Sequence, residues 1–195
     1  MSSKVCHSMG FMNPGICARE FLRDATREQH ALLDAVASGM RLDTAAGYAH
    51  FLATQASVLI PLERSLEKSG IGRLLPDWAE RRRTAAMQSD LSDLHVTTTC
   101  ATAPMFESEA SLLGAAYVLE GSRLGARMVL KQIGRNTATR FLRHGEGSRL
   151  WQSFLEILEA NDGVRRDPEN ATGAARRVFS LFIDAMAPRE LVAAE

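Results

Sequence analysis

From residue 16 onward the apolar residues of this chain recur with the period of an α-helix. Between Ile16 and Ser38, Leu22, Ala25, Leu32, Leu33 and Val36 fall at helical intervals, and Gly39 supplies a stop. A second helix, capped by Asp43 or Thr44, carries Tyr48, Phe51, Leu52, Val58 and Leu59. Pro61 has no N–H and a ring that clashes with the preceding turn, so an interruption or kink is predicted there. The pattern breaks at LEKSGI. Pro76, Asp77 and Trp78 then open a charged third helix through RRRTAAMQSDLSDL, whose arginine run reads as a solvated face. HVTTTCATAPMF is read as a loop. A fourth helix contains YVLEGSRLGARMVLKQI, residues 117–133, a fifth covers WQSFLEILEAN, and a last one runs from about Ala171 to Ala187 before Pro188. Apart from the short β-prone VTTT, no strand pattern is present, and there are no internal repeats. The prediction is an all-α bundle of about six main helices. It forms one domain over 15–188, between loose tails at 1–14 and 189–195.

Composition narrows the class. A chain of 195 residues, with 46% hydrophobic and 24% charged residues, suits one globular domain and excludes wholesale disorder. Lys+Arg 23 balances Asp+Glu 23, so neither nucleic acid nor an anionic membrane is favoured as a partner. The three cysteines, Cys6, Cys17 and Cys100, form no CxxC pair, which argues against a disulfide scaffold or a structural zinc site and fits a reducing cytoplasm. No signal peptide or membrane span is apparent.

Two glycines in the fourth helix call for a reason. Each costs about 1 kcal/mol relative to Ala in a helix interior, so Gly121 and Gly125 together give up about 2 kcal/mol. Four positions apart, they share one face, and Tyr117 extends the strip. Bare backbone of this kind admits either another helix or a flat ligand, and the segment alone favours neither.

Among five histidines, His7, His95 and His144 sit in the tail or near loops and His50 is ambiguous, whereas His30 stands out by its company. At about 100° per residue, Arg23, His30 and Asp34 lie within roughly 40° of one another at the edge of the apolar stripe. Asp34, one turn on, is placed to accept from the imidazole Nδ1, which leaves Nε2 as the metal-facing nitrogen. Alone, such a pair is most often a surface pair. Together with a side-chain-free face on another helix and a cation two turns before His30, it matches what a sandwiched haem requires: an axial His, a propionate anchor and an open distal side.

LRDATREQHALLD resembles the proximal helix of haem oxygenases, and YVLEGSRLGARMVLKQI resembles their glycine-bearing distal helix, nearest to the bacterial biliverdin-producing branch. AGYAHFLATQASVLIPLE and WQSFLEILE are compatible, so the likeness covers roughly residues 18–185. The resemblance implies a helical bundle of the haem oxygenase type with His30 as axial ligand and Asp34 as its hydrogen-bonded partner. It further implies Arg23 and Tyr117 as propionate contacts, Gly121 and Gly125 as the distal wall, and Ser122 or water as orienting groups there. A C-terminal propionate contact falls on Arg176 or Arg177, of which Arg177 is taken. Ala126 departs from the family, where many members carry a second adjacent glycine. The implied reaction cleaves haem with O2 to biliverdin (mainly the IXα isomer), carbon monoxide and ferrous iron. Its electrons come from an external reductant, a ferredoxin-, flavodoxin- or reductase-type donor, since no nucleotide-binding GxGxxG is present. Arg123, Arg127, Lys131 and Arg135 offer such a donor a basic face, with a plain solvated helix side as the equal alternative. A bilin-binding photoreceptor is a candidate recipient of the product. The rivals are a haem-binding or haem-sensing module that leaves its ligand intact, a helical interaction domain without chemistry, and a ferritin-like di-iron bundle. The last lacks its Glu-x-x-His pairs.

Overall fold

The computed structural model describes residues 17–134 and 138–187. The assigned tails 1–14 and 189–195, with His7, Arg135 and Pro188, lie outside the described residues. Within them the chain is helical and contains no strand.

The first predicted helix is two segments, α1 (Ala18–Ala25) and α2 (Arg27–Ser38). They meet at Thr26, whose φ of −112° and ψ of 10° leave the helical region. Its hydroxyl donates to the Leu22 carbonyl at 2.7 Å, a competing bond of the sort that bends helices. The backbone bonds Thr26 N to Leu22 O and His30 N to Thr26 O persist, so the result is a bend and not a turn.

Pro61 does not interrupt the helix: α3 (Ala45–Lys68) continues through it. Proline cannot donate to the carbonyl four residues earlier, and that orphan, Ser57 O, accepts instead from Ala101 N at 2.8 Å. Segment 98–106, read from the sequence as a plain loop, is thus a strap along α3. Thr98 Oγ1 donates to Ala53 O at 2.8 Å, Phe106 N to Ser69 Oγ at 3.2 Å, and the Ser65 hydroxyl to Pro104 O. The strap's partners, 53, 57 and 65 on α3 and the C-cap 69, are spaced by multiples of four, so they drift by about 40° per step of four and the strap winds slowly around the helix. Ala101→Pro should therefore orphan the Ser57 carbonyl at a cost of about 1–3 kcal/mol. Adding Pro61→Ala, which restores an in-helix donor to Ser57, should recover part of that loss in chemical denaturation. No recovery would mean that this carbonyl is not what the strap serves.

After a 3-10 turn at Ile71–Arg73, the third predicted helix is also split, into α4 (Trp78–Arg81) and α5 (Thr84–Asp93). The break follows from a cap supplied by another helix. Glu63 on α3 accepts from Arg83 N and Thr84 N at 2.9 and 3.0 Å, and from Thr84 Oγ1 at 2.6 Å, which fixes where α5 starts. Just past Leu94, the C-cap of α5, His95 is a non-glycine residue at φ 53°, a position that glycine usually fills.

The remaining elements are α6 (Glu109–Leu130), α7 (Arg140–Arg143), α8 (Leu150–Ala160), α9 (Asp162–Arg166) and α10 (Pro168–Met186). Distant carboxylates cap two more of these helices: Asp90 accepts from Arg140 N and Phe141 N of α7, and Glu159 from Ala18 N and Arg19 N of α1. The core centres on α6 against α10. Their backbones approach closely where Gly114 meets Ala171, since a Cβ on Gly114 would lie 2.0 Å from the Ala171 carbonyl oxygen. α2 and α3 also rest on α10, and α2 has little direct contact with α6. No described helix is long and apolar enough to cross a membrane.

Candidate functional site

On α2, His30 and Asp34 behave as their spacing requires. Nδ1 lies 3.0 Å from Asp34 Oδ2. A carboxylate only accepts, so a proton sits on Nδ1, and in the neutral ring the lone pair is on Nε2. The ring packs edge-on against Phe179 of α10, with centroids 5.9 Å apart. Yet the His30 side chain is 63% exposed, and Nε2 has no protein partner among the described residues. This imidazole is oriented from behind and open in front.

On α6, the glycines divide by function. Gly114 is the one that lets two helices touch. At Gly121 a Cβ would meet only the edge of the Trp151 ring, at 3.8 Å, and at Gly125 it would meet nothing within 4 Å. Helix packing, one of the two explanations for the strip, is therefore absent at Gly125 among the described residues. The same face carries Leu124 and Met128, which are 46% and 58% exposed in a helix otherwise rich in buried apolar residues. Exposed large apolar side chains beside bare backbone form a surface suited to a flat hydrophobic object.

Tyr117 on α6 lies within electrostatic reach of Arg19, Arg23 and Asp24 on α1. Burial pushes the Tyr117 phenol above its ordinary pKa, while Arg19 and Arg23 pull it the other way. Asp24 adds to the upward push, so the phenol is a neutral hydrogen-bond donor. Arg23 is exposed and paired with Asp24 at 3.2 Å. Sequence reasoning misses Arg19, although its i, i+4 relation to Arg23 on α1 is the available signal. At the C-terminal end of α1, Arg176 Nε donates to Ala25 O at 2.9 Å. Arg177 is exposed and lies two residues, about 200° of helix rotation, from Phe179. Of the two arginines, Arg176 is therefore the one beside α1.

Ser122 departs from expectation. Its Oγ donates to Leu119 O at 2.7 Å and accepts from Arg83 Nη2 at 3.0 Å. Its single proton is spent inside α6, about 100° around the helix from Gly121. Behind the glycine face lies a buried ionic cluster that the sequence did not reveal, because RRR read as a solvated run. The Arg81 side chain, 0% exposed, reaches Asp77, Glu120, Ser153 and the Leu150 carbonyl, all between 2.7 and 2.9 Å. Arg123 grips Glu120 at 2.8 and 3.0 Å and reaches the Arg81 carbonyl. Arg83 lies over the Phe141 ring, and burial, then Arg123, lowers its pKa to about 10, against the pull of Glu63 and Glu120. His144 is part of this cluster and no bland loop residue: its Nδ1 is 3.3 Å from Arg123 Nη1. Burial first, then Arg123 and Arg83, hold its pKa below the usual value. Arg123 is thereby removed from the basic face proposed for an electron donor, leaving Arg127 exposed on α6 and Lys131 exposed at its C-cap.

No protein-family model matches the chain. It is 32% identical over 168 residues to the haem oxygenase PigA of Pseudomonas aeruginosa, covering 80% of this chain and 83% of that protein. It is 27% identical over 141 residues to a haem oxygenase of Xanthomonas campestris, covering 69% and 86%. Its fold is similar to that of the haem oxygenase of Neisseria meningitidis, with a TM-score of 0.73 at 21% identity over 88% of this chain and 91% of that one. With a bare glycine face, a carboxylate-backed histidine and relatives of this similarity over most of its length, the chain belongs to the haem oxygenase family.

Proposed function

We propose that the chain binds haem between α2 and α6 and cleaves it to biliverdin, chiefly IXα, with release of carbon monoxide and ferrous iron. O2 and electrons from an external donor complete the reaction. The observation that carries this is the pairing of two open surfaces on the common support of α10: a histidine with Nδ1 fixed and Nε2 free, and a helix face where Gly125 meets nothing.

Haem, when bound, supplies the iron that activates O2 and the ring that is oxidised. The protein's part is to hold, orient and shield it. Asp34 keeps the proton on Nδ1 and raises the basicity of Nε2, the nitrogen offered to iron. The backbone at Gly121 and Gly125, with Leu124 and Met128 beside it, lets a planar ring approach closely and leaves room above it for a small ligand. Since the Ser122 proton is held by Leu119 O, protons on the distal side reach the site through water and not from this hydroxyl. Arg23 and the neutral Tyr117 phenol, with Arg19 nearby, are suited to carboxylates, and they would stop the ring from turning about its axis. Arg127 and Lys131 remain as cationic groups for an acidic electron donor.

The test is to add haem, then a reductant under air, and follow the visible spectrum. Decay of the Soret band with growth of a biliverdin band is expected. A Soret band that survives reductant and O2 would support a haem-binding module that leaves its ligand intact.

A further inference from the structure

We infer that Glu159, on α8 and outside the site described above, is a positioning residue for the orientation of the ring. The inference rests on Arg23 and Tyr117 being the propionate contacts. α1 is a two-turn helix with only Ala18 and Leu22 buried, too short to persist without support from its neighbours. Its own N-cap, Cys17, offers a sulfur 3.4 Å from Glu20 N, a weak acceptor. The strong cap comes from 140 residues away. Glu159 Oε2 accepts from Ala18 N and Oε1 from Arg19 N, both at 2.9 Å, so one carboxylate grips two adjacent N–H groups at the positive end of the helix dipole. Arg165 Nη2, 3.6 Å from Oε2, steadies that carboxylate from the other side.

The same helix reaches the distal face. Trp151 of α8 lies against Gly121 and its ring centroid is 5.8 Å from that of Tyr117. Trp151 and Glu159 are eight residues apart on one continuous helix, about 12 Å. α8 is therefore a rigid bracket: one end backs Tyr117 and Gly121, and the other holds the start of α1, which carries Arg19 and Arg23. Releasing Glu159 leaves every proposed propionate contact in place but frees the distance between Arg23 and Tyr117.

The test uses the full chain with Glu159→Ala and the milder Glu159→Gln, which keeps one acceptor and the side chain's size, so that a foldable variant exists. Turnover of haem by each should raise the share of minor biliverdin isomers at least about threefold over the parent, with Glu159→Ala the larger. Haem whose propionates are esterified should give the same isomer ratio in parent and variants, because no carboxylate remains to be positioned. A lowered melting temperature with an unchanged isomer ratio in both variants would reduce Glu159 to a structural cap and overturn the proposal. Arg23→Ala separates the two levels. If it shifts the ratio and Glu159→Gln does not, only the role of Glu159 fails; if Arg23→Ala also leaves the ratio unchanged, the propionate assignment fails with it.

Discussion

Replacing His30 by Ala is expected to abolish axial ligation and turnover while leaving the apo protein folded. The side chain is largely exposed, and its contacts are the ring edge of Phe179 and the carboxylate of Asp34, so its removal opens no sealed cavity. Asp34 then provides the graded comparison. A carboxylate that orients a ligating histidine typically contributes about 10- to 100-fold in metal affinity or activity. Asp34→Ala should fall in that range, and His30→Ala well below it. Added imidazole should restore the parent's ferric spectrum to His30→Ala, since the proposed propionate contacts and the glycine face are untouched by the substitution. If the variant keeps the parent's ferric spectrum and rate, another residue is the ligand and the i, i+4 pair is a surface pair after all.

The sequence made the His30–Asp34 pair and the glycine face legible because both are local. Spacing along one helix dictates which side chains meet, and a concession of about 2 kcal/mol in propensity signals a reason outside the helix. What it concealed was long-range. Pro61 reads as a break because the donor that rescues Ser57 O comes from Ala101, far along the chain. The RRR run reads as solvated because its partners, Glu63, Asp77 and Glu120, are mostly distant in the chain, and only the fold shows that Arg81 and Arg83 are enclosed. Thr26 splits a helix that the hydrophobic period alone would carry through. Arg176 and Arg177 are equivalent in sequence and separate only once α10 is seen to present Phe179 to His30 and Arg176 to the end of α1. Ser122 illustrates the same point: its hydroxyl donates to a nearer acceptor within its own helix. In each case the missed term is the identity of a partner, not the nature of the residue.

The glycines allow the sharpest separation of fold from function, because Gly114 and Gly125 occupy one helix and face opposite constraints. A Cβ at Gly114 would lie 2.0 Å from the Ala171 carbonyl oxygen and 2.7 Å from its carbon, so backbone would have to move. Gly114→Ala should therefore destabilise the apo protein by about 3 kcal/mol, as overpacking of a close contact does, despite the gain in helix propensity. Gly125 has nothing within 4 Å, so Gly125→Leu meets no clash and should stabilise the apo protein by about 0.5–1 kcal/mol through propensity alone. Its side chain would project from the face shared with Leu124 and Met128, into the space proposed for the ring and a small distal ligand. Melting curves of the apo proteins and biliverdin yield under identical reductant should thus move in opposite directions: higher stability with activity down at least about tenfold, an obstruction of about 1.4 kcal/mol, for Gly125→Leu. A Gly125→Leu protein that is stabilised and fully active would show that the bare face of α6 looks away from haem.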